Sequence, residues 1–177
     1  MKRLFSISAA VLICFLLFTS CSSGKKNTPE FKTVKNLGIS FEYPGDWTYS
    51  YTDGESKMSV FKEGAKDFAD NLNIIVDLED ENLRNYSEAL FTNAYSKSFE
   101  DYKPDAFRTY NHFLGEDDDT YAIELRASYT NSEKHTVYFR QYILNQNGRN
   151  YVLTFSTLRR QFPSAFEHIM ETLKFYE

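Results

Sequence analysis

Two cysteines, three histidines, scattered serines and one dense acidic run are the residues of this 177-residue chain whose types could carry chemistry. The acidic run, Glu116, Asp117, Asp118 and Asp119, offers the oxygen ligands that a divalent cation prefers. It lacks the glycine and the ligand spacing of an EF-hand loop, and it falls between two predicted strands. We therefore interpret it as a solvated turn, and cation binding is the alternative.

The three histidines have none of the spacings that bind a metal, such as H-x-H or H-E-x-x-H. We place His112 on a strand, His135 in a hairpin turn and His168 beside the apolar face of the last helix. No serine lies in a G-x-S-x-G elbow, and the 7 glycines form no phosphate-binding loop. The sequence thus predicts no catalytic residue, no metal ligand and no cofactor. A serine–histidine–aspartate site assembled from distant residues is the alternative.

Residues 1–20 have the features of a signal peptide, a basic start followed by an apolar run at residues 9–18. That run is shorter than the roughly 20 residues of a membrane-spanning helix. Cys21 follows an apolar residue and two small ones, whereas Cys14 lacks a small residue before it. The string that ends at Cys21 resembles the lipobox of bacterial lipoproteins, and it consists of Phe18, Thr19, Ser20 and Cys21. We predict lipidation of Cys21; an ordinary secretory signal with a coincidental cysteine is the alternative.

Lipidation of Cys21 would account for both cysteines, because Cys14 leaves with the signal peptide. The mature chain is then predicted to have no thiol, no disulfide and no cysteine-ligated metal. Diacylglycerol on the sulfur and an amide-linked acyl chain such as palmitate on the new N-terminus give a stable membrane anchor. Ser22 stands where an aspartate would signal inner-membrane retention in many enteric bacteria. We therefore expect the outer membrane in a two-membrane cell and otherwise the outer face of the cell membrane.

The charge of the chain argues against a nucleic-acid partner. Without Lys2 and Arg3 of the signal peptide, 18 of the 20 basic residues remain against 25 acidic ones, a net charge of about −7. A phosphate backbone would be repelled on average. Arg159 and Arg160 form the best local basic patch, and two arginines at the end of a strand are usually solvated or paired with a carboxylate.

The chain divides into a signal peptide at residues 1–20, a tether at residues 21–30 and a single domain at residues 31–177. The tether is rich in serine, glycine, lysine, asparagine and proline, a composition that predicts a polar, unfolded spacer. Removal of 20 of the 177 residues leaves 157, enough for one domain with a sizeable core.

Residues 121–157 predict three consecutive strands, and the rest of the domain can be placed against them. Apolar and polar residues alternate through residues 121–130, which predicts a strand with one buried and one solvated face. The dipeptide Asn147-Gly148 suits a two-residue type I′ hairpin between the second and third strands. That turn predicts a register in which Leu144 faces Tyr151, Tyr142 faces Leu153, Arg140 faces Phe155, Ile143 faces Val152 and Phe139 faces Ser156. Both faces of this hairpin are apolar, so helices should cover the sheet on both sides.

Further strands are predicted at residues 31–35, 39–43, 47–51, 57–61, 72–78 and 108–114. Asn85 is the predicted N-cap of a helix, with Glu88 completing a capping box, and the helix should end before Pro104. A terminal helix is predicted through Phe175, with Pro163 in its first turn. Trp47, beside a Pro-Gly turn, is interpreted as a core anchor rather than a ligand platform.

Several stretches resemble the PsbP-like and DcrB-like proteins, a family that includes bacterial lipoproteins. The strings that carry the resemblance are G-I-S-F-E-Y-P-G-D-W at residues 38–47, N-L-N-I-I-V at residues 71–76 with a helix after it, and the final meander and helix up to residue 175. The resemblance covers residues 34–175. It implies an α+β fold, an α/β/α sandwich around a mostly antiparallel sheet, with roles in assembly or binding and no shared catalytic residues.

Two interpretations of function therefore compete. The first is a lipid-anchored binding or assembly module of the bacterial cell envelope, without catalysis, whose partner is an envelope protein or glycan. The second is an envelope hydrolase that uses dispersed polar residues. Aromatic residues make up 17% of the chain, so we expect some of the 13 tyrosines to be exposed, and exposed tyrosine clusters suit a protein interface or stacking on a sugar.

Overall fold

The structure is a computed structural model of the chain, and it describes residues 30–64, 66, 68–77, 82–115 and 119–176. Cys21, the predicted signal peptide and the predicted tether up to residue 29 lie outside the described residues. So do the acidic residues 79–81 before the first helix and residues 116–118 of the acidic run. What the sequence predicts for these residues therefore stays a prediction.

Ten strands and three α-helical segments are found in the described part of the chain. The strands are β1 (Phe31–Asn36), β2 (Ile39–Pro44), β3 (Trp47–Tyr51), β4 (Lys57–Lys62), β5 (Asn71–Asp77), β6 (Glu100–Tyr110), β7 (Ala122–Thr130), β8 (Thr136–Gln146), β9 (Arg149–Thr157) and β10 (Lys174–Phe175). The helices are α1 (Leu83–Ala89), α2 (Tyr95–Ser98), joined to α1 by a π-helical turn at Leu90–Ala94, and α3 (Ser164–Thr172).

Seven strands form one antiparallel sheet in the order β3-β4-β5-β9-β8-β7-β6. The predicted three-stranded meander is present as β7, β8 and β9, and the predicted hairpin between β8 and β9 is confirmed. Asn147 and Gly148 both have positive φ, 53° and 71°, as a type I′ turn requires. Every pair that this turn predicted is present, from Leu144 opposite Tyr151 to Phe139 opposite Ser156.

A second sheet of three antiparallel strands, β1-β2-β10, packs on the first face of the large sheet. Its third strand corrects the predicted terminal helix, which ends at Thr172 and not at Phe175. Lys174 and Phe175 instead pair with β2, and the Phe175 ring lies 4.9 Å from the Tyr151 ring. A two-residue strand that pairs with the start of the domain leaves no periodic signal in the sequence.

The first face of the large sheet is covered by the small sheet and by α3. Trp47 is buried there, with its ring edge-on to Phe166 at 5.7 Å, so its predicted role as a core anchor is confirmed. Phe166 and Ile169 are the buried residues of α3, and Phe166 also lies 4.8 Å from Phe155. Pro163 is the N-cap rather than a residue of the first turn.

The small sheet also holds the beginning of the described chain. The carbonyl of Glu30 accepts a hydrogen bond from the Gly45 N–H at 2.6 Å. Phe31 stacks on His168 of α3, with ring centroids 3.8 Å apart. His168 Nε2 in turn lies 3.0 Å from a carboxylate oxygen of Glu42 on β2. The first strand is thus fastened to both its neighbour and the helix.

The second face of the large sheet is covered by α1, the π-helical turn and α2. These elements pack Leu83, Tyr86, Leu90, Phe91 and Tyr95 on Ile123, Leu125, Ile143 and Val152. Helix α1 begins one turn earlier than predicted, because Asn82 and not Asn85 is the N-cap. The side-chain oxygen of Asn82 accepts hydrogen bonds from the N–H groups of Arg84 and Asn85.

β6 is longer than predicted and begins before Pro104, where a helix-to-strand boundary was expected. Proline is tolerated there because β6 is the edge of the sheet and its pairing with β7 is interrupted on both sides of that residue. The strand ends at Tyr110, so His112 lies in the bend that follows rather than on a strand.

The predicted fold class is confirmed as α+β, with a mostly antiparallel sheet between two covering layers. The layer on the first face contains the small sheet as well as a helix. Among the described residues, no helix has both the length and the apolar composition needed to cross a bilayer.

Candidate functional site: a buried carboxylate under arginines

Strand β7 contradicts the prediction of one solvated face. Glu124, on the supposedly solvated face, is fully buried, and so is its neighbour Leu125 on the other face. Glu124 lies opposite Tyr142 of β8 on the first face of the sheet. Burying an ionised carboxylate is costly unless charges and hydrogen bonds compensate it. Its neighbours therefore define the candidate site.

Both oxygens of Glu124 are engaged. Arg126 donates from Nε to Oε1 at 2.6 Å, and the Tyr110 hydroxyl donates to Oε2 at 2.7 Å. Arg140 Nε lies 3.3 Å from Oε1. That contact lacks hydrogen-bond alignment, and this buried nitrogen has no hydrogen-bond partner among the described residues. We call Glu124, Arg126, Arg140 and Tyr110 the Glu124 cluster.

The charges of the Glu124 cluster do not balance. Arg126 and Arg140 stand directly opposite each other on β7 and β8. Like charges in that position repel, and one carboxylate between them offsets only one. The two arginine side chains are 27% and 26% exposed, so solvent screens the remaining positive charge only in part. The cluster therefore presents surplus positive charge at the protein surface.

The pKa values of nearby groups reflect this arrangement. Burial opposes the charge on Arg126, but the hydrogen bond and the charge of Glu124 outweigh that effect and raise its pKa. Burial raises the pKa of Tyr110, and its hydrogen bond to Glu124 raises it further. Burial and then the charge of Glu124 raise the pKa of Tyr142, while Arg140 lowers it. Both phenols thus stay protonated well above neutral pH.

Two hollows open beside the cluster, and Phe162 lines both of them. The first, about 270 Å³, is lined by cationic side chains, and we call it the basic hollow; its charged residues are Lys103, Asp105, Arg126 and Arg160. The second, about 240 Å³, has an aromatic floor, and we call it the aromatic hollow; it is lined by Arg140, Tyr142, Phe155, Phe166 and Met170, together with the exposed Glu167 and Glu171. The Arg140 guanidinium carbon lies 4.7 Å from the centroid of the Phe162 ring, so this arginine packs on the side chain that the two hollows share. We call the two neighbouring hollows together the groove; it lies beside α3 and strands β6, β7 and β8.

The arrangement is suited to holding a ligand. Glu124 accepts from an arginine and a phenol, neither of which gives up its proton near neutral pH. A general acid or base needs a group that changes its protonation state near the working pH. What the carboxylate does in this geometry is hold Arg126 and Arg140 at the surface of the groove.

The three histidines lie apart from the groove and from one another. His112 follows β6, and His168 joins α3 to β2 as described above. His135 lies in the loop before β8, as predicted, with Nδ1 at 3.7 Å from a Glu133 oxygen. Within the part of the chain that the structure describes, no group of histidine, cysteine and acidic residues could hold a metal ion.

The two arginines of the predicted basic patch have different surroundings. Arg159 pairs with Asp70, the partner type that the sequence suggested. Arg160 is exposed and lines the basic hollow. Only the second is therefore a candidate for binding.

The expectation of exposed tyrosine clusters is wrong. All 13 tyrosines lie in described regions, and each is buried or half-buried. Many rings pack on one another on the second face; Phe99, for example, stacks on Tyr129 at 4.2 Å and on Tyr95 at 5.2 Å. The aromatic residues fill two cores, one on each side of the sheet, which is why this domain can hide so many.

The Glu124 cluster did have a sequence signal. Glu124 and Arg126 are two residues apart in a predicted strand and so share one face. The hairpin register already placed Arg140 on the same face as Tyr142 and Leu144. What the sequence left open was the length of the turn between β7 and β8, which sets Arg126 opposite Arg140.

Comparison with known proteins supports the fold. No protein-family model matches the sequence, and no curated protein is detectably similar to it. The solution structure of cyanobacterial PsbP (CyanoP) from Synechocystis is similar with a TM-score of 0.61 and 14% identity, covering 88% of this chain and 98% of that one. LpqN of Mycobacterium tuberculosis, described as involved in cell envelope biogenesis, gives a TM-score of 0.51 and 16% identity over 85% of this chain and 93% of its own. A Bacteroides thetaiotaomicron protein gives 0.53 and 13% over 79% and 46%.

These similarities establish a fold relationship. The chain has the fold of PsbP-like structures, and that relationship was expected from the strings at residues 38–47 and 71–76. At such low identity the likeness concerns architecture, and the chemistry of the groove depends on its own residues.

Proposed function

We propose that this chain is a lipid-anchored binding or assembly module of the bacterial cell envelope, without catalytic activity, and that it is a DcrB-like member of the PsbP-like group. Its anchor would be the lipid on Cys21, and its binding surface the groove beside the Glu124 cluster. In a two-membrane cell the proposed location is the outer membrane, because Ser22 follows the lipidated cysteine.

One observation carries the proposal of binding without catalysis. Glu124 is fully buried, and its single negative charge faces two arginines, so the charges are not matched one to one. Its two oxygens are occupied by Arg126 and Tyr110. A hydrolase would use such a carboxylate to orient or deprotonate a nucleophile. Here it positions two guanidinium groups beside open hollows, which favours recognition of a ligand.

The location rests on two independent arguments. A short apolar run followed by small residues and Cys21 is the pattern of a lipidated export signal. The fold is shared with LpqN, which is described as involved in cell envelope biogenesis. Both arguments support an envelope role outside the cytoplasm.

Cell fractionation tests the anchor. A Cys21→Ser variant from which the signal peptide has been removed should no longer be found in the membrane fraction, because residues 22–30 are polar and have no affinity for lipid. Ser22→Ala is the matched control and should stay with the membrane. Retention of the Cys21 variant in the pellet after a high-salt wash would refute the anchor.

Crosslinking in intact cells tests the binding role. The wild-type protein should recover a reproducible partner, and Arg160→Gln in the groove should reduce that recovery without loss of stability, since Arg160 is exposed. Arg84→Gln, on the opposite face of the sheet, is the control. Hydrolysis of an envelope polymer by the purified protein would instead favour the hydrolase.

A further inference from the structure

We propose that the groove binds a segment of a partner protein in which an acidic, an apolar and a basic residue follow one another, with the acidic residue in the basic hollow. This inference rests on the proposed function of a binding module and specifies the chemistry of the partner. It assigns the apolar residue to the aromatic hollow and the basic residue to the exposed carboxylates that line it.

The basic hollow selects the acidic end. Lys103, Arg126 and Arg160 line it, Asp105 is the single acidic residue of its lining, and Glu124 offsets Arg126, so it keeps a surplus of one positive charge. The mature chain as a whole is acidic, and a local positive surface on an acidic protein is a selective feature for an anionic group. Guanidinium groups also match the planar geometry of a carboxylate.

Of the two arginines in the Glu124 cluster, Arg126 lines this hollow and Arg140 lines the aromatic hollow. They lie opposite each other and are about three-quarters buried, so water does not fully hydrate them. A carboxylate that enters the basic hollow beside Arg126 would add a second counter-charge and relieve the repulsion that Glu124 offsets only once.

The aromatic hollow selects the apolar and basic residues. Its floor consists of Tyr142, Phe155, Phe166 and Met170, so it favours an apolar side chain. Glu167 and Glu171, which also line it, are exposed on α3 and repel a second anionic group. The groove therefore has a polarity: its basic hollow is positive, and its aromatic hollow combines an apolar floor with Arg140 and two exposed carboxylates.

That polarity separates a peptide from the other envelope ligands. A polyphosphate or other polyanion would bring negative charge against Glu167 and Glu171. A neutral sugar ring can stack on aromatic side chains, but it brings no charge to pair with the basic hollow or with Glu167 and Glu171. A peptide can present an acid, an apolar group and a base in sequence, and hollows of about 270 and 240 Å³ each hold one side chain.

The test uses three peptides and two double variants of the mature, lipidated protein in neutral detergent. The peptides are acetyl-Asp-Leu-Lys-amide, the basic acetyl-Lys-Leu-Lys-amide and the neutral acetyl-Asn-Leu-Gln-amide. Lys103→Gln with Arg160→Gln removes the two exposed charges of the basic hollow. Lys97→Gln with Arg84→Gln removes two exposed charges on the far face. Binding is measured from the backbone amide chemical shifts of residues around Phe162.

We expect the Asp-Leu-Lys peptide to bind about five-fold more tightly than the Lys-Leu-Lys and neutral peptides, as two exposed charge contacts would give. The basic-hollow variant should lose that preference, and the far-face variant should keep it. The preference should also weaken with added salt. Shifts confined to residues lining the two hollows complete the expected result.

Four results would overturn the inference. The first is equal binding of the Asp-Leu-Lys and Lys-Leu-Lys peptides, and the second is an equal loss of binding in the far-face variant. The third is saturation of the same amides by inorganic phosphate or by an envelope glycan in place of the peptide, and the fourth is no shift at millimolar peptide. The proposed function fails separately. A crosslinked partner that is lost with the basic-hollow variant, although no peptide binds, would keep the binding module and refute only the ligand class.

Discussion

Among the residues that the structure describes, two acidic side chains are buried, and they are neutralised in different ways. Asp70, before β5, accepts from the Thr157 hydroxyl at 2.6 Å and from Arg159. Its arginine is 61% exposed and serves that one carboxylate. Glu124 is shared by two arginines that are mostly buried. The same residue types thus form one balanced pair and one unbalanced cluster.

The difference separates a structural contact from a candidate binding site. The Asp70 pair ties the loop between β4 and β5 to the end of β9, and it leaves no charge over. Around Glu124 the charge that is left over faces two open hollows. The ratio of cations to buried carboxylates, rather than the presence of a salt bridge, is therefore the informative feature.

Removing the carboxylate from the unbalanced cluster should have the largest effect. Glu124→Gln would leave Arg126 and Arg140 facing each other without a counter-charge and should destabilise the domain by about 3 kcal/mol. Equilibrium urea unfolding measures this. Glu88→Gln on α1 is the control and should change stability by less than about 0.5 kcal/mol. A stability for Glu124→Gln equal to that of the control would show that the arginines are solvated and the cluster is not coupled.

The balanced pair should be less sensitive to the same change. Asp70→Asn keeps an acceptor for Thr157, and Arg159 can turn into solvent, so the loss should be about 1 kcal/mol. The comparison with Glu124→Gln is made under identical urea conditions. A loss for Asp70→Asn as large as that for Glu124→Gln would remove the distinction between the two sites.

Tyrosine ionisation should report the charge of Glu124. Because the pKa of Tyr110 is raised from 10.0, its contribution to stability is complete below pH 10 and is lost as the pH rises through its pKa in the folded protein. In Glu124→Gln burial still raises the pKa of Tyr110 and Arg108 still lowers it, but the raising effect of the Glu124 charge is gone. Tyr110 should therefore ionise at lower pH, as an ultraviolet titration with Tyr110→Phe as reference would show. Tyr102, whose pKa burial raises to about 12, lies outside the cluster and should titrate unchanged.

Changing the histidines should have the smallest effect, because all three lie outside both acidic sites. Replacing His112, His135 and His168 together by Gln should leave the crosslinked partners and the cellular phenotype intact. The stability loss from the His168 contact with Glu42 should stay below about 1 kcal/mol. Loss of function in a folded triple variant would instead favour the hydrolase.

The local parts of the fold could be predicted because they leave local signals. Asn147-Gly148 determined the register of β8 and β9 residue by residue. The contacts that sequence reasoning missed are distant in the chain, such as the pairing of β10 with β2. The N-cap was misplaced from Asn82 to Asn85 because either asparagine suits a cap, and tertiary packing decides between them.

The candidate site was missed for a different reason. An alternation of apolar and charged residues in β7 was interpreted as one buried and one wet face, which is the usual meaning of that pattern. The charged face is buried here because α3 and the Phe162 ring lie close to it and Arg126 and Arg140 compensate Glu124. The anchor at Cys21 and the cation alternative at residues 116–119 stay predictions.

The fixed position of β1 determines how far from the membrane the domain can reach. The hydrogen bond from Gly45 to Glu30 and the stacking of Phe31 on His168 fix the start of the folded region. With a lipid on Cys21, about ten residues would separate the bilayer from β1, a length of about 35 Å when fully extended. A partner held in the same membrane would then meet the groove at high effective concentration. A millimolar affinity for the partner would then suffice for assembly at the membrane surface.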